Sequence, residues 1–178
     1  AIAAANINAL VVIAFGQKLG EEVLRDTFAI NLHASILPRW RGAAPINRSM
    51  MAGDATTGVS VIKLASRMDA GDIYATSTTT IDPGETAGEL HDRLAQLGVE
   101  PVLEVLSAFE DGTVEAVEQD EALATAARKL SKREATVDFN VPADSARARI
   151  HGLTPWPGCD VLVAGDPLRI LRVKLVND

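Results

Sequence analysis

Three polar residues, Asn31, His33 and Asp69, are of the types that can move a proton and stabilise a developing oxyanion. Asparagine offers an amide donor and acceptor, histidine titrates near neutral pH, and a carboxylate supports an imidazolium. This set suits attack of a neutral amine on a carbonyl: the histidine takes the proton, the aspartate fixes its tautomer and supports its cation, and the asparagine donates to the oxyanion. No serine or cysteine is placed as a nucleophile beside His33, so we expect direct transfer rather than a covalent acyl-enzyme.

Taken alone, these three residues also fit a structural interpretation. A lone histidine at a strand end is more often a satisfied polar residue than a catalyst, and an aspartate at a turn is usually a cap. The other histidines, His91 and His151, fall within or at the end of predicted helices, where a structural or solvated role is expected. Because the three histidines are too scattered for a metal site, we predict no metal.

The asparagine and the histidine lie on one predicted strand. An apolar run at 27–30 indicates a buried strand that extends through Asn31 and His33. Because side chains alternate along a strand, Asn31 and His33 share one face, while Ile30 and Leu32 share the other. Ligands of open α/β sheets bind at the carboxyl ends of the strands, so this strand end is a predicted active-site position.

Asp69 follows a second predicted core strand, at 58–65, and we expect it to reach the same edge of the sheet. A helix is predicted over 44–52, with Pro45 tolerable in its first turn. Apolar and β-branched runs bounded by turns predict further strands at 9–15, 73–81, 159–164 and 168–176. Capping boxes and periodicity predict further helices at 21–25, 86–97, 100–109 and 143–151. Strands alternating with helices predict an α/β fold with a partial Rossmann-like, doubly wound, mostly parallel sheet.

The composition is that of an ordinary soluble globular protein, with 47% hydrophobic and 23% charged residues in 178. A single cysteine excludes a disulfide framework and a cysteine-based zinc site, so a reducing cytoplasm is the expected compartment. The apolar run at 9–15 is too short to span a bilayer and follows no cationic segment, so we expect a core strand and no membrane. No phosphate-binding loop or dinucleotide fingerprint is present in the sequence.

Charge is distributed unevenly along the chain, whose formal net charge is −7. Residues 1–121 carry 8 lysines and arginines against 18 acidic residues, whereas residues 122–178 carry 9 against 6. The overall charge argues against general affinity for nucleic acid, but the basic C-terminal part suggests contact with something anionic. An ordinary solvated surface explains the asymmetry equally well.

The sequence around these residues resembles the methionyl-tRNA formyltransferases. The first matching block is Asn-Leu-His-Ala-Ser-Ile-Leu-Pro-Arg-Trp-Arg-Gly-Ala-Ala-Pro-Ile at 31–46. Further matches are Gly-Asp at 53–54, Thr-Gly-Val-Ser-Val at 57–61, Met-Asp-Ala-Gly-Asp-Ile at 68–73, Leu-Ser-Lys at 130–132 and Pro-Trp-Pro-Gly at 155–158. The resemblance covers nearly the whole chain from about Ala9 onward.

This resemblance implies transfer of a formyl group from the co-substrate 10-formyltetrahydrofolate to the amino group of methionine on initiator tRNA. The family's catalytic residues fall on Asn31, His33 and Asp69. The remaining implied site residues are a folate-binding set, Phe15, Gly16, Ser35, Ile36, Leu37 and Pro38, and a tRNA-binding set, Arg39, Arg41, Arg147 and Arg149. Glycinamide ribonucleotide formyltransferases share the three catalytic residues, whereas the segment at 38–45 and the C-terminal extension favour the tRNA enzyme.

The resemblance also implies a division of the chain. Residues 1–112 correspond to the catalytic domain of the formyltransferase fold without its first βα units, 113–130 to a linker or edge segment, and 131–178 to the beginning of an OB-like β-barrel that binds tRNA. The full-length protein is expected to be a monomer. Two alternatives stay open: a formyltransferase with a nucleotide or amino-sugar acceptor, and a folate-binding fragment without turnover.

Overall fold

A computed structural model describes residues 7–16, 19–24 and 27–176. The strands within these ranges are β1 (Ala9–Ile13), β2 (Phe28–His33), β3 (Arg41–Gly42), β4 (Thr56–Lys63), β5 (Ile73–Thr80), β6 (Ala126–Ala127), β7 (Cys159–Val163) and β8 (Asp166–Ile170). The helices are α1 (Glu21–Leu24), α2 (Pro45–Met51), α3 (Ala87–Leu97), α4 (Val99–Glu110) and α5 (Ala143–Gly152). The predicted helices and strands occur here with shifted ends; Arg25, the last residue of the first predicted helix, lies outside the described ranges.

The main sheet confirms the predicted α/β class and has the strand order β1-β2-β4-β5. Its described part is mixed rather than mostly parallel, because β1 runs parallel to β2 whereas β4 runs antiparallel to both β2 and β5. The direction of β4 could not be inferred from its sequence. Residues 57–62 of this strand are all buried, and continuous burial marks a central strand without specifying which way it runs.

Helices α3 and α4 cover one face of this sheet. Their apolar side chains pack against Ile30 and Leu32 of β2 and against Val59 and Val61 of β4. The predicted capping box at Thr86 opens α3, which fixes where this helix begins. Because one face is filled by these helices, the alternate side chains of β2, including His33, point to the other face.

The C-terminal part packs on α2, the helix that directly follows the loop after β2. At the contact, the Asn47 side-chain amide donates to the Gly152 carbonyl at 2.7 Å. A Cβ atom at Gly152 would lie 2.7 Å from Met51 Cγ, so the close approach of α2 and α5 requires glycine there. Strands β7 and β8 form an antiparallel hairpin, and the C-terminal residues up to 176 show no closed barrel.

The segment predicted as a linker is held against the main sheet and the loop after β2. Val117 forms an antiparallel bridge with Ile73, and β6 pairs in parallel with β3. The predicted domain boundaries stay a proposal. Within the described ranges, no helix is both long and apolar enough to cross a membrane.

Candidate active site

His33 ends β2 with both ring nitrogens close to a polar group. Its side chain is 6% exposed, and Nε2 lies 2.9 Å from the Trp40 carbonyl oxygen. Because a carbonyl can only accept a hydrogen bond, Nε2 carries the proton of the neutral imidazole. Nδ1 is then the nitrogen that can take up a proton, and it lies 3.6 Å from Asp69 Oδ2.

The tautomer of His33 is therefore fixed by the Trp40 carbonyl, whereas the residue types alone predict that Asp69 fixes it. The carboxylate stands at the nitrogen that becomes charged, beyond direct hydrogen-bond distance but within range of an ion pair. This placement suits the second predicted task of Asp69, which is to support the imidazolium.

Asp69 reaches His33 by a different route from the predicted one. Since β4 is antiparallel to β2, Lys63 at its end pairs with Ile30, away from the histidine. The following loop returns toward His33 and is closed by a hydrogen bond of 2.9 Å from the Lys63 amide to the Asp72 carbonyl. Asp69 has a φ of 52°, a left-handed conformation that is uncommon for a residue with a side chain.

The loop after β2 holds Asp69 through a backbone group. The Gly42 amide donates to Asp69 Oδ2 at 2.9 Å. Gly42 has a φ of 123°, and a Cβ atom there would lie 2.7 Å from the Ala127 carbonyl oxygen. Glycine is thus required both for the backbone conformation and for the approach of β6. This backbone donor could not be predicted, because every residue except proline carries a backbone amide and the residue type therefore gives no signal.

Asn31 lies on the same strand face as His33, as predicted from the alternation along β2. Ile30, its neighbour, packs with Val61 and Val105 beneath α4. The Asn31 side chain is half-buried, and it has no hydrogen-bond partner among the residues described. Its amide is therefore available to a bound group.

Two of the predicted folate-binding residues, Ser35 and Leu37, are buried and form hydrogen bonds that hold the loop after β2. Ser35 is buried, and its hydroxyl donates to the Arg39 carbonyl at 2.7 Å. Ser60 ties the same loop to β4, since its hydroxyl donates to the Ser35 carbonyl at 2.8 Å and accepts from the Leu37 amide at 3.1 Å. Leu37 is buried, whereas Ile36 and Pro38 are half-buried and are the members of this run with surface to offer.

The other two predicted folate-binding residues follow β1. Because β1 and β2 are parallel, Phe15 and Gly16 emerge at the same sheet edge as His33. The Phe15 side chain is 53% exposed, and a Cβ atom at Gly16 would meet no atom within 4 Å among the described residues beyond its chain neighbours. The rest of this loop, at 17–18, lies outside the described residues.

Arg39 and Arg41, both predicted to bind tRNA, occupy different environments. Arg39 is exposed, forms two hydrogen bonds of 2.8 and 3.0 Å with Asp54, and lies 5.4 Å from the centre of the Trp40 ring. Arg41 is buried, and its guanidinium donates to Gln119 Oε1 and pairs with Glu121. Its Nη1 atom has no partner within the described ranges. The position of Arg41 gives no support to a contact with tRNA.

The two arginines of α5 are also engaged within the protein. Arg147 pairs with Asp144 at 2.7 Å. Arg149 donates to the Thr136 carbonyl at 2.5 Å and to the Glu134 carbonyl at 2.7 Å. Arg149 therefore holds backbone, and its guanidinium is occupied.

Four other cations are better placed to meet an anionic partner. They are exposed, and none of them forms an ion pair with a described residue: Arg128, Lys129, Lys132 and Arg133. We call these residues the basic run. Lys132 lies in a block that resembles the family, and the basic run was not among the residues predicted to bind tRNA, although four cations within six residues are a visible signal.

Two cavities lie outside the group formed by Asn31, His33 and Asp69. The larger, about 970 Å³, is bounded by α2, the start of α3 and the loop carrying Trp156. The smaller, about 310 Å³, lies beside Trp40. Within the described residues, no group of three or more possible metal ligands comes together.

Two family models match most of the chain. The model described as formyl transferase matches residues 1–106, and the model described as formyl transferase, C-terminal domain, matches residues 129–178. The chain belongs to the formyltransferase family.

Curated relatives narrow the resemblance further. The chain is 42% identical to the methionyl-tRNA formyltransferase of Pseudomonas fluorescens (strain SBW25), over 99% of this chain and 56% of that protein. It is 43% identical to the methionyl-tRNA formyltransferase of Parvibaculum lavamentivorans, over 99% of this chain and 59% of that protein. The chain thus spans little more than half the length of these relatives.

Solved structures share the fold at lower identity. HypX from Aquifex aeolicus, in complex with tetrahydrofolic acid, superposes with a TM-score of 0.79 at 21% identity, over 90% of this chain and 28% of that chain. A likely sugar N-formyltransferase from Mycobacterium tuberculosis has a TM-score of 0.74 at 21% identity, over 96% of this chain and 75% of that chain. These likenesses establish the fold alone.

Proposed function

We propose that the protein transfers a formyl group from 10-formyltetrahydrofolate to the amino group of methionyl initiator tRNA, in the cytoplasm and as a monomer. The observation that carries the proposal is the environment of His33. One ring nitrogen is held by the Trp40 carbonyl at 2.9 Å, and the other lies 3.6 Å from Asp69. The names of the curated relatives support tRNA as the acceptor.

The chemistry follows from the three polar groups. The neutral amine attacks the formyl carbon, and Asn31 donates a hydrogen bond to the oxygen as it becomes negative. His33 Nδ1 takes the proton that the amine loses, and Asp69 stabilises the resulting imidazolium. The formyl carbon is then bonded to the amino nitrogen of methionine, and its bond to N10 of the folate breaks. The proton passes from His33 to N10.

The co-substrate has a place at the same edge of the sheet. Phe15 and Gly16 follow β1, and Ile36 and Pro38 follow β2, so these two loops border the end of the strand that carries His33. An exposed aromatic ring and half-buried apolar side chains suit the flat pterin of a folate. We assign Ser35 and Leu37 a supporting role, because both are buried.

The acceptor is expected to meet the basic run. These four exposed cations can neutralise phosphates, and this electrostatic contribution depends on salt. Arg41 and Arg149 are occupied by internal partners, so we assign them to the architecture.

An acceptor comparison tests this function. Formyl transfer from labelled 10-formyltetrahydrofolate is measured for charged initiator tRNA, glycinamide ribonucleotide and an amino sugar. We expect kcat/KM for the tRNA to exceed that for either small amine by at least ~100-fold, since only the tRNA offers contacts remote from the amine. A faster small amine would identify another acceptor. Binding of tetrahydrofolate without transfer to any acceptor would identify a folate-binding protein.

A further inference from the structure

Gln119 lies at the centre of a polar junction that the proposed mechanism does not use. The residue belongs to the segment predicted as a linker, yet its side chain is only 6% exposed. Its amide nitrogen donates to the Asp69 carbonyl at 2.9 Å and to the Gly71 carbonyl at 2.7 Å. Its amide oxygen accepts from Arg41 Nε at 2.9 Å and Nη2 at 2.7 Å. All four hydrogen bonds that such an amide can make are formed.

The partners of Gln119 belong to the two loops that hold the Asp69 carboxylate. One loop carries Asp69 itself, in a left-handed conformation, and the other carries Arg41 and Gly42, whose amide donates to Asp69 Oδ2 at 2.9 Å. A left-handed backbone at a residue with a side chain costs free energy, and it persists only where the surrounding structure holds it in place. The two bonds that Gln119 donates restrain the backbone at this strained residue.

The same segment also restrains the partner of the other ring nitrogen of His33. Thr125 accepts from the Trp40 amide through its hydroxyl at 2.9 Å, and its carbonyl accepts from the Arg41 amide at 2.8 Å. Trp40, whose carbonyl meets His33 Nε2, has a φ of 64°. The segment thus braces both sides of the imidazole.

We propose that Gln119 is a positioning residue that acts through Asp69, setting the distance between its carboxylate and His33 Nδ1. This inference rests on the proposed function. Among the described residues, the Gln119 side chain forms its hydrogen bonds with Arg41, Asp69 and Gly71 and forms none with His33 or Asn31, so we expect its effect on transfer to pass through Asp69.

Two substitutions separate this role from simple packing. Gln119→Glu keeps the shape and the acceptor for Arg41 but loses both donors to the Asp69 loop, and Gln119→Met keeps the length without polar atoms. Because a misplacement of about 1 Å can cost ~100-fold, we expect kcat to fall by about 10- to 100-fold with KM values within about twofold. The matched control is Glu118→Gln, which makes the reverse change at the exposed neighbouring residue.

A double-mutant cycle with Asp69→Asn provides the decisive measurement. If Gln119 acts through Asp69, its substitutions cost less than about twofold when Asp69 is already replaced, because the two changes act on one group. Equal losses of kcat in both backgrounds, or full activity of both Gln119 variants, would overturn the proposal. Thermal unfolding of every variant identifies any that fails to fold.

A spectroscopic readout keeps this test independent of turnover. The ¹⁵N chemical shifts of the His33 ring, assigned with a His33→Gln variant, are expected to move in both Gln119 variants and in Asp69→Asn, but not in Glu118→Gln. Unchanged shifts in the Gln119 variants, beside moved shifts in Asp69→Asn, would contradict the positioning role. If no acceptor is formylated by the unsubstituted protein, the proposed function fails while this readout still decides the role of Gln119.

Discussion

The end of β2 and the basic run both consist largely of polar residues, but they differ in how those residues are paired. At the end of β2, most polar groups other than the Asn31 amide are paired with one another: Asp69 accepts from Gly42, and Gln119 makes all of its hydrogen bonds with Arg41 and two carbonyls. In the basic run, the cations are exposed and unpaired among the described residues. The first arrangement holds its side chains in place through hydrogen bonds, whereas the second leaves charge available to a partner. Fixed side-chain positions and charge that is free to bind are thus found in different parts of the chain.

Removing the imidazole of His33 is expected to have the largest effect on the end of β2. His33→Ala is expected to lower kcat by about 10²- to 10⁴-fold, because the amine then has no positioned base. His33→Gln, which retains a side-chain donor for the Trp40 carbonyl, should lose nearly as much. Rapid-quench measurement of formyl transfer checks both variants, with His91→Gln, at a histidine that is 65% exposed, as the control. A near-normal rate for His33→Ala would remove the imidazole from the mechanism.

The basic run is tested by the salt dependence of tRNA binding. Replacing both Lys129 and Arg133 by glutamine should weaken the binding of tRNA whatever its sequence. The slope of log K against log salt should fall by about 0.7 to 0.9 for each phosphate that is no longer neutralised. Lys63→Gln, which removes one exposed cation from β4, is expected to leave the slope unchanged. An unaltered slope in the double variant would show that the run does not meet phosphates.

The two arginines of α5 sharpen the distinction between structural and available charge. Arg149→Gln removes charge-assisted hydrogen bonds to the Thr136 and Glu134 carbonyls and should cost about 1–3 kcal/mol of unfolding free energy. Arg147→Gln removes an ion pair with an exposed Asp144 and should cost less than about 1 kcal/mol. Urea denaturation measures both, and equal costs would contradict the assignment of Arg149 to the architecture.

The smallest effect concerns pH. Burial lowers the pKa of His151 below its ordinary 6.5, and its Nε2 accepts from the Val173 amide at 3.1 Å. Below pH 6.5 the unfolded chain therefore binds more protons at this residue than the folded one does, so stability falls as pH decreases. The slope cannot exceed about 1.4 kcal/mol per pH unit for one proton.

Urea unfolding between pH 5 and pH 7.5 isolates this contribution. The lowered pKa values of Glu89, Glu121, Glu134 and Asp160 affect stability chiefly near and below their ordinary values, at 4.5 and 3.8, so the carboxylates contribute little above about pH 5.5, and the comparison with His151→Gln separates the histidine below that. His151→Gln should flatten the dependence between pH 5 and 6.5, whereas His91→Gln should not. A curve that is unchanged by His151→Gln would assign the pH dependence to other groups.

Local patterns predicted the strand β2 and the shared face of Asn31 and His33, and the structure confirms both. The alternation of Asn31 and His33 with Ile30 and Leu32 required only the period of a strand and an apolar face. The route of Asp69 could not be predicted in the same way. It depends on the direction of β4, and a strand that is buried on both faces has no sequence signal for direction.

Other features were missed because their signals are weak in sequence. Gln119 stands among acidic residues without periodicity, so nothing marks its burial beneath the loops of Asp69 and Arg41. Arg149 resembles a surface cation, and its bonds to backbone carbonyls exist only once α5 has docked. Single polar residues take their roles from tertiary neighbours, and propensity does not encode those neighbours.

Gly42 gives the site an unusual intolerance to change. Its amide donates to the Asp69 carboxylate, and its backbone has a φ of 123°. A Cβ atom at this position would lie only 2.7 Å from the Ala127 carbonyl oxygen. In a saturation library selected for turnover, this codon should retain glycine alone, since even alanine would push apart the two strands that frame the carboxylate. Gly42 is thereby a position at which no other residue fits, although it has no side chain to contribute.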